Sequence, residues 1–243
     1  MASTSETGHA KNVANLQDLI AFVTGYGTTY NPSKGALKLS ALNDLYATSQ
    51  TKLSEVIAKN TAYNDTVNSR VQAFSGLKSL GTRLVSALEA TDATKEKLND
   101  AKALNRKLQG RRATSTETQN DPNVPAPATI SASQQSYDQL IQHFAGLTAV
   151  LNSEPSYTPN EGELKVSTLT TKQSELTAKN SEVATAYAAV SNSRIDRNKM
   201  LYNVDNGLVD IATEVKKYIK SVYGAASPEF AQVKGIEFKR IKI

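Results

Sequence analysis

This 243-residue sequence has two histidines, the residue type best suited to acid–base catalysis and metal binding, and neither lies in a recognisable catalytic motif. Bundles that bind two iron or manganese ions use a pair of Glu-x-x-His motifs on inward helix faces, and the chain does not supply the pair. His9 lies in the N-terminal tail, and His143 beside Phe144 is typical of a packed or surface histidine. The chain has no cysteine, which excludes disulfides, thiolate metal sites and cysteine catalysis.

Signatures of other catalytic sites are missing from the sequence as well. It contains no Gly-rich phosphate loop ending in Lys-Ser or Lys-Thr, and no Gly-x-Ser-x-Gly segment for a nucleophilic serine. Paired acids such as Asp205 and Asp210 have the helical spacing of a solvated face. We therefore expect a protein that is not an enzyme, with no catalytic, metal-binding or cofactor-binding residues and no small-molecule substrate.

A turn sequence occurs twice in the chain. Residues 30–38 and 157–165 share the pattern Tyr-x-Pro-x-x-Gly-x-Leu-Lys, and each is followed by Thr-Ala-Tyr and then Asn-Ser-Arg, at 61–70 and 185–194. Chance similarity between helical stretches rarely keeps such elements in the same order, so the sequence predicts an internal duplication. Between the copies, three prolines among Thr, Ser, Gln and Asn predict a linker.

After each turn comes a long tract without proline, rich in Ala, Lys, Glu, Gln and Leu. This composition favours helix. Apolar residues recur at alternating steps of three and four, from Leu42 to Leu88 and from Leu169 to Val215, which is the spacing of a packed helix seam. The tracts therefore predict two long helices, whereas the alternation of period two that marks strands is absent from them.

The continuity of each long helix is a separate question. The apolar stripe keeps its phase throughout, so we expect one unbroken helix of about 50 residues in each copy. Pro32 and Pro159 suit the first helical position. A break near Gly76 or Gly81 in the first copy, and between Asn203 and Gly207 in the second, is the alternative.

Four polar residues occupy positions on these stripes: Asn60, Arg70, Asn180 and Arg194. The two arginines are equivalent residues of the two Asn-Ser-Arg segments. A buried arginine needs an acceptor, since an unpaired charge is expensive to bury, and we expect a polar layer that fixes the register of two helices. The alternatives are a surface arginine whose stem lies along the seam and a ligand site where the repeats meet.

Positive charge is concentrated in one segment. Residues 95–112 carry seven basic and two acidic side chains, an excess equal to the whole net charge of +5. The candidates for a basic contact patch are Lys95, Lys102, Arg106, Lys107, Arg111 and Arg112. Single-stranded nucleic acid is usually bound with stacking aromatics, and this segment has none. We expect a solvated helix end, with nucleic-acid binding as the less favoured alternative.

The two ends of the chain differ in character. The first twelve residues are polar and unlike a signal peptide, and the longest apolar runs are about five residues, against roughly twenty for a membrane span. These features predict a cytoplasmic protein, with leaderless export as an alternative. Near the C-terminus, Ser227 and Pro228 predict the start of a short helix. The apolar residues that alternate with polar ones after it are Ile236, Phe238, Ile241 and Ile243.

We expect this last stretch either to pack on the bundle as an extended tail or to add to a neighbouring molecule. The overall expectation is an all-α fold, an elongated helical bundle of two tandem, pseudo-symmetric repeats with long antiparallel helices. The predicted divisions are a flexible tail at 1–11, repeat one at 12–109, a linker at 110–130, repeat two at 131–224 and the C-terminal tail at 225–243.

The favoured function is that of a non-enzymatic structural or interaction protein. Two similar halves present similar surfaces, which favours a homo-oligomer or higher assembly, or the docking of another protein. In outline, long helices ending in short hairpins resemble the helical pore-forming toxins related to cytolysin A, which implies membrane action as an alternative. The chain departs from that family because no segment is apolar enough to be the inserting hairpin, and no residue role is carried over.

Overall fold

Every regular element that the structure describes is helical. The computed structural model describes residues 8–110 and 135–241, and no strand occurs in these ranges. The helices are α1 (His9–Gly25), α2 (Leu39–Phe74), α3 (Leu77–Glu89), α4 (Lys95–Gln109), α5 (Tyr137–Asn152), α6 (Val166–Tyr202), α7 (Leu208–Tyr223) and α8 (Pro228–Lys234). The predicted all-α class is confirmed.

The chain divides into two compact units. Unit 1 combines the chain up to Tyr63 with the chain from Ala186 onward, and unit 2 is the segment Asn64–Thr185. Both divisions fall inside long helices, α2 and α6. Gly110 follows the last residue of α4, and the rest of the predicted linker lies outside the described residues. The tandem arrangement of two repeats stays a prediction.

The core of unit 1 forms where α1 and α7 pack their apolar faces together. Leu16 and Leu19 of α1 are fully buried, and so are Val215 and Ile219 of α7. The spacings of three and four residues place each pair on one helix face. The other buried apolar residues of this core are Val13, Ile20, Val23, Tyr30, Leu37, Leu42, Leu201, Tyr202, Leu208, Val209, Ile211, Ala212 and Val233.

The core of unit 2 is built mainly by α3, α4 and α5. Leu84 and Leu88 of α3 are fully buried, as are Phe144 and Leu147 of α5. His143 is buried beside Phe144, as expected of a packed histidine. The other buried apolar residues of this core are Phe74, Leu77, Val85, Ala101, Leu108, Leu151, Tyr157, Leu164, Leu169 and Leu176.

Neither long tract is one continuous helix, so the favoured prediction is wrong and the alternative describes both copies. α2 ends at Phe74, and Gly76 is the N-cap residue of α3. α6 ends at Tyr202, and Gly207 is the N-cap residue of α7. A Cβ atom on Gly207 would lie 2.6 Å from the backbone nitrogen of Asn203, so this tight break requires glycine. The apolar stripe continues across both breaks, and periodicity alone could not reveal them.

The two Tyr-x-Pro-x-x-Gly turns are closed by the same hydrogen bond. The hydroxyl of Tyr30 donates to the carbonyl oxygen of Leu37 at 2.6 Å. The hydroxyl of Tyr157 donates to the carbonyl oxygen of Leu164 at 2.9 Å. Burial raises the pKa of Tyr157 to about 12 and also raises the pKa of Tyr30. Both hydroxyls therefore remain protonated donors at neutral pH.

Contrary to the prediction, Pro32 and Pro159 do not start the long helices. A 3-10 turn at Gly35–Leu37 precedes α2, and another at Gly162–Leu164 precedes α6. Each tyrosine hydroxyl bonds to the last residue of its 3-10 turn, which holds the intervening residues outside the helix.

Two of the short helices have clear boundary signals, and the one at the start of α8 is predicted by the sequence. The hydroxyl of Ser227 accepts the backbone N–H of Phe230 at 3.1 Å, and Pro228 takes the first position of α8. α4 ends at a glycine because Gly110 adopts φ 74°, in the left-handed region. The predicted short helix after Ser227 is confirmed.

Candidate functional site

Arg70 and Asn180 are in contact within unit 2. Nη1 of Arg70 donates to Oδ1 of Asn180 at 3.0 Å, across 110 residues of sequence. Nδ2 of Asn180 donates in turn to Oδ1 of Asp138 at 2.7 Å. The guanidinium carbon of Arg70 lies 3.9 Å from the ring centroid of Tyr137, a distance typical of a cation–π contact. The amide of Asn180 thus links a cation on α2 to a carboxylate on the first turn of α5.

This polar cluster joins three helices of unit 2, as a layer that fixes helix register would. That role stays a prediction. Arg70 and Asn180 are half-buried, and Nε of Arg70 is buried without a hydrogen-bond partner among the described residues. Sequence reasoning found Arg70 and Asn180 but missed Tyr137 and Asp138, which follow the N-cap residue of α5 and carry no local signal for this contact.

The other two polar stripe residues belong to unit 1 and are placed differently. Arg194 is exposed, whereas its neighbour Ser193 is buried. After Val190, the next buried residue on α6 is Ser193, three positions further on. The predicted stripe instead takes a step of four residues, from Val190 to Arg194. Arg194 is therefore a surface arginine, which was one of the alternatives. Asn60 is half-buried.

The basic segment lies on α4 in unit 2. The predicted patch residues that the structure describes are all exposed, and they are Lys95, Lys102, Arg106 and Lys107. Nζ of Lys102 lies 2.7 Å from Oε1 of Glu89, so one of the charges is paired. Arg111 and Arg112 lie outside the described residues. This part of α4 has the character of a solvated helix face.

The C-terminal tail packs on unit 1 of its own chain. Nδ2 of Asn12 donates to the carbonyl oxygen of Lys239 at 2.8 Å, and the backbone N–H of Lys239 donates back to Oδ1 of Asn12 at 3.0 Å. Nδ2 of Asn15 donates to the carbonyl oxygen of Glu237 at 2.6 Å. Of the four apolar tail residues, Ile236, Phe238 and Ile241 pack against the core of unit 1, and Ile243 lies outside the described residues.

Arg240 anchors the end of the tail. Its Nη2 lies 2.7 Å from both carboxylate oxygens of Asp210, and its Nη1 donates to the carbonyl oxygen of Tyr202. Asp210 also accepts the backbone N–H of Asp205 at 3.0 Å. The hydrogen bonds from Arg240 hold the pKa of Asp210 below its usual value. A contact of the tail with a neighbouring molecule stays a prediction, and it would have to coexist with these bonds or replace them.

One stretch of α6 in unit 1 carries no charge and has an exposed face. Residues 186–193 contain no charged side chain, and Tyr187 is 60 % exposed. Ile195, about two turns after Tyr187 and between the charged residues Arg194 and Asp196, is 48 % exposed. We call residues 186–193 the uncharged segment, and Ile195 lies just beyond it. Exposed helix faces normally carry charged and polar residues, so this stretch differs from an ordinary solvated face.

Tyr187 is one of the apolar residues of the stripe from Leu169 to Val215, which predicts a packed seam, and its exposure corrects that expectation. Its ring nevertheless has a neighbour in unit 1, because the centroid lies 5.9 Å from that of Tyr63 on α2. Ile57, two turns before Tyr63, is 68 % exposed. The exposed apolar area of this unit therefore extends to α2 as well as α6.

Within residues 8–110 and 135–241, no helix is both long and apolar enough to cross a bilayer. No group of three or more His, Asp or Glu side chains in these ranges is placed to hold a metal ion. Comparison of the chain with protein-family models, with curated proteins and with solved structures finds no match.

Proposed function

We propose that this is a non-enzymatic interaction protein, a duplicated helical bundle that assembles with a second copy of itself through the uncharged segment of α6. The observation that carries the proposal is the exposure of Tyr187 on a stretch of helix without charge, with Ile195 exposed just beyond it. Covering apolar area is favourable by about 25 cal/mol per Å². No charged side chain of residues 186–193 would have to be desolvated when they are covered.

A second copy of the chain is the occupant that this chemistry fits. In a twofold interface the same patch faces itself, so a charged patch would be repelled by its own copy. The uncharged segment meets no such repulsion. Its small side chains, Ala186, Ala188, Ala189 and Ser191, also permit a close approach of two helices.

The duplication itself belongs to this proposal. The matching hydrogen bonds of Tyr30 and Tyr157 support it. The order of elements supports it too, since α1, two 3-10 turns, α2 and α3 are followed later by α5, one 3-10 turn, α6 and α7. The two orders differ by the additional 3-10 turn at Gly27–Thr29. A cytoplasmic location also stays part of the proposal and rests on the sequence alone.

Sedimentation velocity of the full chain over a wide concentration range tests the proposed assembly. We expect the wild type to shift from monomer to dimer as concentration rises. Ile195→Glu places a charge that faces its own copy, and it should weaken the dimer by about tenfold or more. The new Glu lies four residues before Lys199, which is a favourable helix pair, so the fold should be retained.

Val222→Glu is the matched control. Val222 belongs to the same unit and is 45 % exposed, close to the exposure of Ile195, but it lies on α7 and not on the proposed interface of α6. This substitution should leave the monomer–dimer equilibrium unchanged. A wild type that remains monomeric at every concentration, or equal weakening by both substitutions, contradicts the proposal.

A further inference from the structure

A groove of about 580 Å³ lies in unit 1 beside the docked tail. Its lysines come from α7, α8 and the tail: Lys216, Lys217, Lys220, Lys234 and Lys239. Glu237 is the acidic residue in the lining. No run of residues in the sequence predicts this concentration of charge, since Lys234 and Lys239 reach the groove only when α8 and the tail pack beside α7.

Two of the five lysines are already engaged within the chain. Nζ of Lys216 donates to the carbonyl oxygens of Lys234 and Ile236, at 2.9 Å and 2.8 Å. Nζ of Lys239 lies 2.8 Å from Oε2 of Glu237. Lys216 therefore holds the tail in place, and the charge of Glu237 is balanced by its neighbour in the tail.

The other three lysines form an exposed, positively charged rim. Lys217, Lys220 and Lys234 are all exposed, and Nζ of Lys220 lies 5.8 Å from the ring centroid of Phe230. Like charges that share one opening repel each other, and an anion in the opening relieves that repulsion. The rim thus favours a ligand with a negatively charged group.

Part of the lining is apolar. Phe230, Ile236 and Phe238 line the groove, and each is half-buried with part of its surface open to solvent. All three pack against the core of unit 1, so their positions are fixed by the fold. A ligand that covers them removes apolar area from water, which an inorganic anion cannot do.

We propose that this groove binds an amphiphilic anion, in which a phosphate or similar oxyanion head is attached to an apolar chain. The head would lie among Lys217, Lys220 and Lys234, and the chain would cover the apolar lining. A nucleic acid would need cations spread along a track that follows its backbone, whereas these cations surround a single opening. The proposal is independent of the assembly through α6.

Isothermal titration calorimetry of the full chain with three probes separates the two parts of the site. Octyl phosphate, used below its micellar concentration, carries both the head and the chain. Ethyl phosphate retains the head with a short chain, and octyl glucoside retains the long chain with a neutral head. We expect saturable binding of octyl phosphate and binding at least about tenfold weaker for each of the other two.

The triple variant Lys217→Gln, Lys220→Gln, Lys234→Gln removes the rim charge, and it should weaken the binding of octyl phosphate by about tenfold. The matched control is Lys95→Gln, Lys102→Gln, Arg106→Gln on α4 of unit 2, which lowers the net charge equally at exposed positions. It should leave binding unchanged. Chemical shifts in an NMR titration should change at the amides of Lys217 and Phe238.

Vesicles distinguish the two sources of such a ligand. Sedimentation with phosphatidylcholine vesicles, with and without phosphatidic acid, shows whether the head can be part of a lipid surface. Binding that requires phosphatidic acid and the rim lysines identifies a membrane lipid, and binding of octyl phosphate alone identifies a soluble amphiphile. The proposal is overturned if octyl phosphate does not bind, if both triple variants bind it equally, or if a single-stranded dT oligonucleotide binds the groove more tightly.

Discussion

The rings of Tyr63 and Tyr187 lie 5.9 Å apart, centroid to centroid, with their planes inclined at 56°. Aromatic pairs attract each other in this range. Each is the tyrosine of a Thr-Ala-Tyr segment, so the contact joins equivalent residues of the two proposed copies. Equivalent residues meet in pairs beside a twofold axis, and the contact therefore supports the proposed duplication.

The duplication predicts that the two turns respond alike to the same substitution. Tyr30→Phe and Tyr157→Phe each remove a hydroxyl and leave a buried carbonyl oxygen without its donor. Each should cost about 1–2 kcal/mol of unfolding free energy, measured by urea denaturation with circular dichroism. Tyr187→Phe is the control, because the side chain of Tyr187 is exposed and its hydroxyl can form hydrogen bonds with water. A loss at only one of the two turns would count against their equivalence.

Much of the helical architecture could be predicted from sequence, because it depends on local signals. The Ser-Pro start of α8 and the repeated turns need only neighbouring residues to form. The breaks at Gly76 and Gly207 were only the alternative to continuous helices, and the reason is physical. A short interruption can turn the chain without moving the apolar stripe to another face, and the stripe was the signal used to infer continuity.

The candidate sites were harder to predict because they combine distant segments. Asp138 and Asn180 are 42 residues apart in the chain, and Arg70 is 110 residues from Asn180. The lysine groove likewise combines α7 with α8 and the tail. The exposure of Tyr187 was missed because a stripe of period 3.5 slowly drifts around a helix of period 3.6.

The polar cluster predicts that Arg70 stabilises unit 2, whereas its sequence counterpart Arg194 contributes little. Arg70→Leu removes a hydrogen bond to Asn180 and the contact with the Tyr137 ring. We expect a loss of about 1–2 kcal/mol by urea denaturation. Arg70→Lys should recover only part of it, because an ammonium lacks the planar guanidinium.

Arg194→Leu is the matched control for that substitution, since Arg194 ends the other Asn-Ser-Arg segment and is exposed. It should change the unfolding free energy by less than about 0.5 kcal/mol. In a double-mutant cycle, Arg70→Leu and Asn180→Ala should be non-additive. Equal losses at Arg70 and Arg194 would refute a specific role for the cluster.

Docking of the tail should depend on pH through Asp210. The hydrogen bonds from Arg240 lower the pKa of this carboxyl in the folded state, so its contribution to stability is complete above the unfolded value of about 3.9. The contribution is lost as pH falls from there through the lower folded pKa. Because the pair is partly exposed, we expect it to contribute about 0.5–1 kcal/mol at pH 7.

Hydrogen exchange of the Lys239 amide, which donates to Oδ1 of Asn12, provides the measurement. In the wild type this amide should be protected at pH 7, and its protection should fall by about two- to fivefold below about pH 4, after correction for intrinsic exchange rates. Asp210→Asn should reduce protection already at pH 7 and remove most of the pH dependence. Asp44→Asn, at an exposed position of the same unit, is the control and should behave as the wild type.

The two helix breaks predict opposite responses to alanine. At Gly207 an added Cβ would lie 2.6 Å from both the backbone nitrogen and the backbone oxygen of Asn203, so the break would have to open. Gly207→Ala should lower the free energy of unfolding by about 2 kcal/mol, measured by urea denaturation.

At Gly76 no heavy atom lies within 4 Å of the added Cβ, and the φ of −91° at this residue suits any amino acid. Gly76→Ala should leave stability unchanged or raise it by about 0.5 kcal/mol, because alanine restricts the unfolded chain. Equal effects at the two glycines would show that the close approach to Asn203 does not constrain the second break.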